Sequence, residues 1–384
     1  MKYNLPSGFR LSSANFGLKK NSKKEDVCLI FCEQDADTAA VFTKNIFAGA
    51  PVILNKKNLE ISKNKFRAIL INTVFSNSGT GPKGLENAKK VQKFLAEKMN
   101  IDLEKILISS TGIIGQHIPV KKFFDQIPDL LKNFDNDIEK AGKAILTTDL
   151  VEKIVYEELP GGGKILGIAK GSGMIAPNMA TMLSFVMTDI QIDPEILQKK
   201  WTQICEKTFN CISVDGCEST SDSAFVFCSQ KYTEDEKIFF EKLFLVAQNL
   251  AKKIAADGEG ATHLISATAK NCESKNSAKK LSRAIITSDL LKCAICGHDP
   301  NWGRIISAIG STKENFDTEK IDIFFDGEKV FENGAPIENF DSAKMFQNFE
   351  VKILVDFKNG KFSATSFGCD LTKKYVEINA EYST

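Results

Sequence analysis

Little in this sequence announces a chemistry by abundance. It has three histidines and two tryptophans in 384 residues, so imidazole, the commonest metal ligand, is scarce. No charge of one sign dominates: 50 Lys+Arg stand against 49 Asp+Glu, a net charge of +1. That balance argues against a nucleic-acid binder, which would carry a basic excess or stripe, and against polybasic attachment to a membrane. Long hydrophobic runs are missing too, and none approaches the roughly 18 apolar residues of a spanning helix. The opening Met1–Pro6 carries a lysine with no apolar stretch behind it, unlike a secretory signal. The expectation is a soluble, cytoplasmic protein of one large domain or two ordinary ones. Cysteine is plentiful, with ten, but the ten are scattered, and in such a chain they read as reduced thiols. Cys293-Ala-Ile-Cys296 is a lone CxxC without a second pair, better explained by small buried hydrophobes than by a metal site.

What is present is an alternation of strand-like and helix-like stretches. Apolar runs rich in β-branched residues predict strands at Val27–Phe31, Ala68–Ile71, Ile106–Ile108, Lys153–Tyr156, Ile165–Ala169 and Met182–Met187. Helical spacing of apolar residues marks Gly84–Met99, Pro194–Phe209 and Glu234–Ala256. Later strands are predicted at Lys320–Phe325, Glu350–Phe357, Lys361–Thr365 and Lys374–Ile378. Such a pattern means α/β layers rather than a bundle or an all-β sandwich. Pro160–Gly163 reads as a hairpin turn. Ser78–Gly84 precedes a helix and is the better anion-loop candidate, although it lacks the Walker spacing.

Four clusters concentrate small and polar residues. Lys170–Asp189 crowds Gly, Pro and Met around Thr181, ahead of a strand-like run; its plain reading is a tight loop entering a buried strand. Ser109-Ser110-Thr111-Gly112 follows a predicted strand, where backbone amides can face an anion and glycine allows close approach. Ala256–Thr262 sets Glu259 between two glycines, as a pocket or as a solvated loop. Gly297–Ile305 reads as a structural turn locked by side-chain hydrogen bonds.

Taken in order, these clusters resemble the ornithine acetyltransferases, the bifunctional glutamate N-acetyltransferase/amino-acid acetyltransferases of arginine biosynthesis. The resemblance runs from Gly8-Phe9-Arg10 to the last residue. It takes in Val41–Asn45, Ala50–Val52, Ser110–Gly112, Thr147–Asp149, Val214–Gly216, Asp257–Thr262, Asp299–Ile305 and Asn379–Thr384. The long Lys-Gly-Ser-Gly-Met-Ile-Ala-Pro-Asn-Met-Ala-Thr-Met-Leu stretch is its most specific part.

The resemblance implies a layered α/β sandwich of the self-processing N-terminal-nucleophile type. It implies cleavage between Ala180 and Thr181, giving an N-terminal chain, 1–180, and a C-terminal chain, 181–384. The new α-amine of Thr181, titrating near pH 8, would act as base for its own hydroxyl. Thr111 and Gly112 would stabilise the oxyanion. Substrate contacts carry over to Thr147 (with Thr148 an equal neighbour), Lys170, Thr181, Glu259, Asn379 and the terminal Thr384. The implied reaction moves acetyl from N2-acetylornithine to glutamate, with acetyl-CoA standing as a further donor. No metal or organic cofactor is implied, and the expected assembly holds two copies of each fragment. The departures are local: Asn72-Thr-Val-Phe-Ser-Asn77 carries bulkier Val74 and Phe75 where the family has small residues, Ser219-Thr220-Ser221-Asp222 has Ser for Asn, and Cys293 and Cys296 replace Thr and Phe. Two alternatives stay open on the residues alone: a self-processing aminopeptidase or amidase of related fold, and a non-enzymatic binding protein holding phosphate in the Ser78–Gly84 loop.

Overall fold

The computed structural model describes residues 3–176, 182–338, 340 and 345–381. The first part of the chain forms β1 (Phe9–Ala14), β2 (Val27–Phe42), α1 (Ala50–Ile61), β3 (Lys65–Asn72), α2 (Gly81–Met99), β4 (Ile106–Ser110), α3 (Val120–Leu130), α4 (Ile138–Ala144), β5 (Lys153–Glu158) and β6 (Lys164–Lys170). Next come β7 (Leu183–Ile190), α5 (Pro194–Lys207), β8 (Ile212–Ser213), β9 (Ser223–Tyr232), α6 (Glu236–Ala256), β10 (Leu264–Cys272), α7 (Lys275–Ile286), α8 (Asp289–Cys296) and α9 (Trp302–Gly310). The last elements are β11 (Asp322–Phe325), β12 (Glu328–Glu332), β13 (Ala335–Pro336), β14 (Glu350–Asp356), β15 (Phe362–Cys369) and α10 (Lys373–Glu381).

Helix starts are written in the sequence as caps. Asp137, Asp193, Asp235, Ser274, Ser288 and Asn301 each accept a first-turn N–H at the head of α4, α5, α6, α7, α8 and α9. The strands form two sheets. One is eight-stranded, ordered β4-β3-β2-β9-β7-β6-β5 with β1 added on β2, and the other is seven-stranded, ordered β13-β12-β11-β14-β10-β15-β8. The long β2 shifts register between Phe31 and Ala36 as it passes from β3 to β9.

Packing makes the layers. Helices α5 and α6 share one apolar cluster with both sheets: Trp201, Leu243 and Leu250 meet Val186 and Val226 of the first sheet and Leu264 and Phe367 of the second. Helices α2 and α3 cover Leu29, Leu70 and Ile108 of the first sheet, while α7 and α9 cover Ile265, Ile353 and Val355 of the second. The α/β class therefore stands, and among the described residues no helix is long and apolar enough to cross a membrane. Pro160–Gly163 turns the β5–β6 hairpin, with the Leu159 N–H donating to the Gly163 carbonyl at 2.8 Å.

Three expectations need correction. Lys374–Ile378 lies in helix α10, not in a strand; its alternating apolar residues also place Tyr375, Ile378 and Asn379 at i, i+3 and i+4, on one helical face. Cys293 is exposed and Cys296 half-buried at the end of α8, so neither is a core hydrophobe. The Ser78–Gly84 loop is filled by its own side chains. Thr80 donates to Asn77 Oδ1 at 2.9 Å, Asn77 donates to the Gly84 carbonyl at 3.0 Å, and a Cβ on Gly84 would overlap Thr80. No open cradle for a phosphate remains there.

Candidate active site

Strand β4 runs parallel to β3, with Ser110 beside Asn72. Asn72 organises the turn that follows: its Oδ1 accepts the Ser110 hydroxyl at 2.7 Å, and its carbonyl accepts the Thr111 N–H at 3.0 Å. Gly112 then adopts φ +126°, and a Cβ there would overlap the backbone of Val74, so only glycine fits. Val74 itself sits at φ +73°, with the Phe75 N–H donating to the Thr73 carbonyl at 2.9 Å. This is a γ-turn of the strained hand, on a β-branched residue. It is held by the Val74 carbonyl, which accepts the Ile113 N–H at 2.8 Å. The bulky departures at Val74 and Phe75 therefore do not wall the cleft; both pack toward the α2–α3 core.

Lys170, the last residue of β6, lies opposite Leu183 at the start of β7. It is buried, and its Nζ donates to Thr111 Oγ1 at 3.3 Å. Burial pushes its pKa down, and Asp149 opposes that shift. The Asp149 carboxylate is fully buried and accepts the Thr147 N–H at 3.0 Å, the Gly171 N–H at 2.6 Å and the Lys153 ammonium at 2.7 Å. Burial alone would raise its pKa, but Lys170 and Lys153 outweigh burial and hold it at about 2. Lys153 also pairs with Asp257, which accepts the Leu150 N–H at 3.0 Å.

Glu259 follows on the α6–β10 connection, buried, with its carboxylate so close to Gly173 that a Cβ there would overlap it. Asn379 of α10 donates to Glu259 Oε2 at 2.7 Å. Thr111, Gly112, Thr147, Thr148, Lys170, Glu259 and Asn379 line one cleft. Met174 and Met182, on the two sides of 177–181, line it as well. Ala180, Thr181 and Thr384 lie outside the described residues. The arrangement sets a cation and a carboxylate beside a hydroxyl and a glycine amide, groups suited to an amino-acid ligand and an acyl oxyanion.

Comparison with known proteins places this geometry. The model of the ArgJ family matches residues 10–384. The chain belongs to the ArgJ family. An arginine biosynthesis bifunctional protein ArgJ from Caldanaerobacter subterraneus is 42% identical over 405 residues, covering 100% of this chain and 98% of that protein. A glutamate N-acetyltransferase from Methanocaldococcus jannaschii is 39% identical over 393 residues, covering 96% of this chain and 97% of that protein. The crystal structure of an ArgJ bifunctional protein from Bacillus halodurans aligns with TM-score 0.50 at 38% identity, over 52% of this chain and 98% of that one.

Several residues of the cleft escaped sequence reasoning. Behind it, Asp149, Lys153 and Asp257 look like ordinary charges, for Lys153 pairs with Asp149 four positions away and with Asp257 across 104. Asp215 and Tyr375 also line the cleft. Asp215 had a signal in the glycine turn Val214-Asp215-Gly216, but Tyr375 was hidden by the strand reading of its segment. Gly297–Ile305 is the structural turn expected, joining α8 to α9 through the Asn301 cap.

Two predictions follow from this geometry. If the γ-turn strains Val74, Val74→Gly will be about 1 kcal/mol more stable than Val74→Ala, since both lose the side chain but only glycine accepts that φ. Denaturant midpoints that coincide for the two would remove the strain. Asp149→Asn leaves Lys153 and Lys170 with less counter-charge and should cost about 3 kcal/mol at pH 7. A carboxylate whose folded pKa lies below its unfolded value stabilises above the unfolded value and loses that contribution as pH falls through the folded one. The gap between wild type and Asp149→Asn, measured by urea unfolding, should therefore hold from pH 7 to about 4 and close toward pH 2. A constant gap across that window would contradict the burial of an ionised Asp149.

Proposed function

We propose that this chain is a glutamate N-acetyltransferase that takes acetyl from N2-acetylornithine, after cutting itself between Ala180 and Thr181. The observation that carries the reading is the convergence of Thr111, Gly112, Lys170 and Glu259 on one cleft, flanked by Met174 and Met182. The names of the full-length relatives support the arginine-biosynthetic reaction.

In self-cleavage, Thr181 Oγ attacks the Ala180 carbonyl carbon, the C–N bond breaks, and the departing nitrogen takes the hydroxyl proton. Water hydrolyses the resulting ester, leaving a carboxylate on Ala180 and a free amine and hydroxyl on Thr181. A mature form of two fragments is supported by the Bacillus halodurans chain, 98% of which aligns with 52% of this one. That is about 200 of 384 residues, close to the 204 that begin at Thr181 (384 − 180 = 204).

In transfer, the Thr181 amine takes the proton of Oγ as it attacks the acetyl carbonyl. Thr111 Oγ accepts from Lys170, so its own O–H is directed elsewhere and serves the oxyanion together with the Gly112 N–H. Collapse expels ornithine, whose nitrogen takes the proton, and leaves acetyl-Thr181. The amine of glutamate then attacks this ester, its proton returns to Thr181, and N-acetylglutamate departs. Lys170 suits the α-carboxylate of either amino acid, and Glu259 the side-chain ammonium of ornithine. Thr147 and Thr384 complete the substrate contacts, while Asn379 holds Glu259 in place. Side chains and water serve every step, so the proposal calls on no metal or organic cofactor. Two copies of each fragment would assemble, in the cytoplasm. A peptide hydrolase is less favoured, because opposite charges at Lys170 and Glu259 match a free amino acid.

Purified wild type should run as fragments of 180 and 204 residues, the second beginning Thr-Met-Leu-Ser, while Thr181→Ala remains one inactive chain. Sequencing the N-termini and assaying transfer from acetylornithine to glutamate, with acetyl-CoA as a parallel donor, checks this. An intact wild-type chain that turns over acetylornithine would refute the amine base. Thr111→Ala should lower kcat roughly a hundredfold with KM little changed, since the hydroxyl acts on the transition state. A raised KM at constant kcat would make Thr111 a substrate contact instead.

A further inference from the structure

One stretch of chain, Val214–Ser223, grips both sides of residues 177–181. Upstream, Asp215 Oδ2 accepts the Met174 N–H at 2.6 Å and Oδ1 accepts the Ile175 N–H at 2.9 Å. The grip is mutual, for the Ile175 carbonyl accepts the Val214 N–H at 2.6 Å. Downstream, the Ser223 N–H donates to the Met182 carbonyl at 3.0 Å.

The upstream grip is itself braced. Asp215 Oδ1 also accepts the Cys217 N–H at 3.1 Å, and Tyr375 of α10 lines the same cleft. Lys292 of α8, 2% exposed, donates its Nζ to the Val214 carbonyl. Burying an ammonium there is costly unless it is bonded, so the 214–215 segment has little freedom to shift. Met174 meanwhile sits at φ +55°, a conformation a long side chain adopts at a cost. Charge-assisted bonds from two successive amides to one carboxylate can offset that cost.

We propose that Asp215 is a positioning residue for self-cleavage, holding Met174 and Ile175 so that the chain reaches Ala180–Thr181 in attacking geometry. The proposal rests on the self-cleavage reading above. In this role Asp215 takes no proton, and the bonds made and broken are those of the acyl shift. Its effect comes from proximity. Ile175 lies five residues before the scissile carbonyl (180 − 175 = 5), and a hydroxyl attacks an amide only from a narrow range of approach. Misplacement by about 1 Å costs such a step roughly a hundredfold. With the downstream flank tied at Met182, release of the upstream flank frees the carbonyl relative to the hydroxyl.

The test follows fragment formation over time on denaturing gels for freshly made wild type, Asp215→Ala and Asp215→Asn, with and without hydroxylamine. Hydroxylamine cleaves an ester and spares an amide. Asp215→Ala should cleave roughly a hundredfold more slowly, and Asp215→Asn at an intermediate rate, since one carbonyl oxygen remains to accept an N–H. Hydroxylamine should not restore either, because the defect precedes the ester. Folding is read separately, by comparing the melting temperature of Thr181→Ala with that of the Thr181→Ala/Asp215→Ala double variant, neither of which cleaves. Wild-type rates in both single variants would overturn the proposal, as would full rescue by hydroxylamine or slowing that merely tracks lost stability. A wild-type chain that never cleaves would instead sink the reading beneath it.

Discussion

A fully buried carboxylate, Asp149, ties the connection after α4 to the end of β6. It bonds the amides of Thr147 and Gly171 and the ammonium of Lys153, and its charge reaches Lys170. Asp149, Asp257, Lys153 and Lys170 compensate one another's charge, with Asp222 and Glu259 adding negative charge near Lys170. Desolvation of four charges is tolerable only on that condition, and loss of one member exposes the others. Lys170 in turn reaches Thr111 across 59 positions. The cleft is thus held by an electrostatic frame inside an apolar sandwich, and the Thr111 hydroxyl inherits its place from that frame.

How much of this was legible depends on whether the signal was local. The end of β4 and its glycine could be read because a strand, a turn and a close approach are written in consecutive residues. The caps of α5 and α6 were equally local. The ion group was not legible: a lysine and two aspartates give no sign in sequence that they share one buried point. Helix α10 was misread because Tyr375, Val376 and Ile378 satisfy two periodicities at once, and only its placement after β15 decides between them. The bulky Val74-Phe75 pair was visible as a departure, yet its effect was not. A strained turn sends both side chains to the α2–α3 core, and the wall of the cleft is left to others.

The inventory of the cleft also bears on the base. None of the three histidines lines it among the described residues. Lys170 has a pKa lowered by burial, a shift that Asp149 opposes without reversing. In the structure its Nζ serves as a donor, to Thr111 Oγ1 at 3.3 Å. The carboxylates present are weak bases at neutral pH unless their pKa is raised. An α-amine titrating near pH 8 fills the vacancy without another side chain. On the proposed reading the cut at Ala180–Thr181 supplies the missing base, and the scarcity of histidine and the need for self-processing are one fact.

The C-terminal helix shows how such a site can admit a charged ligand. Its nine residues, Lys373–Glu381, include none that is buried, so little hydrophobic free energy fixes it. Its anchors are polar: the Thr372 hydroxyl donates to the Gly260 carbonyl at 2.7 Å, and Asn379 donates to Glu259. Gly260 must lack a side chain there, because a Cβ would press on the backbone of Lys374 and Tyr375. Each polar anchor contributes only about 1 kcal/mol net, somewhat more where the partner is charged. Glu259 meets Asn379 through Oε2 and retains a second oxygen for an ammonium. On the proposed reading, an ammonium at that oxygen neutralises a charge that the Asn379 amide compensates only in part, so ligand and helix share the carboxylate rather than exclude each other. On that reading the helix can stay docked while the acceptor and donor amino acids exchange beneath it, as a ping-pong transfer through a single cleft demands.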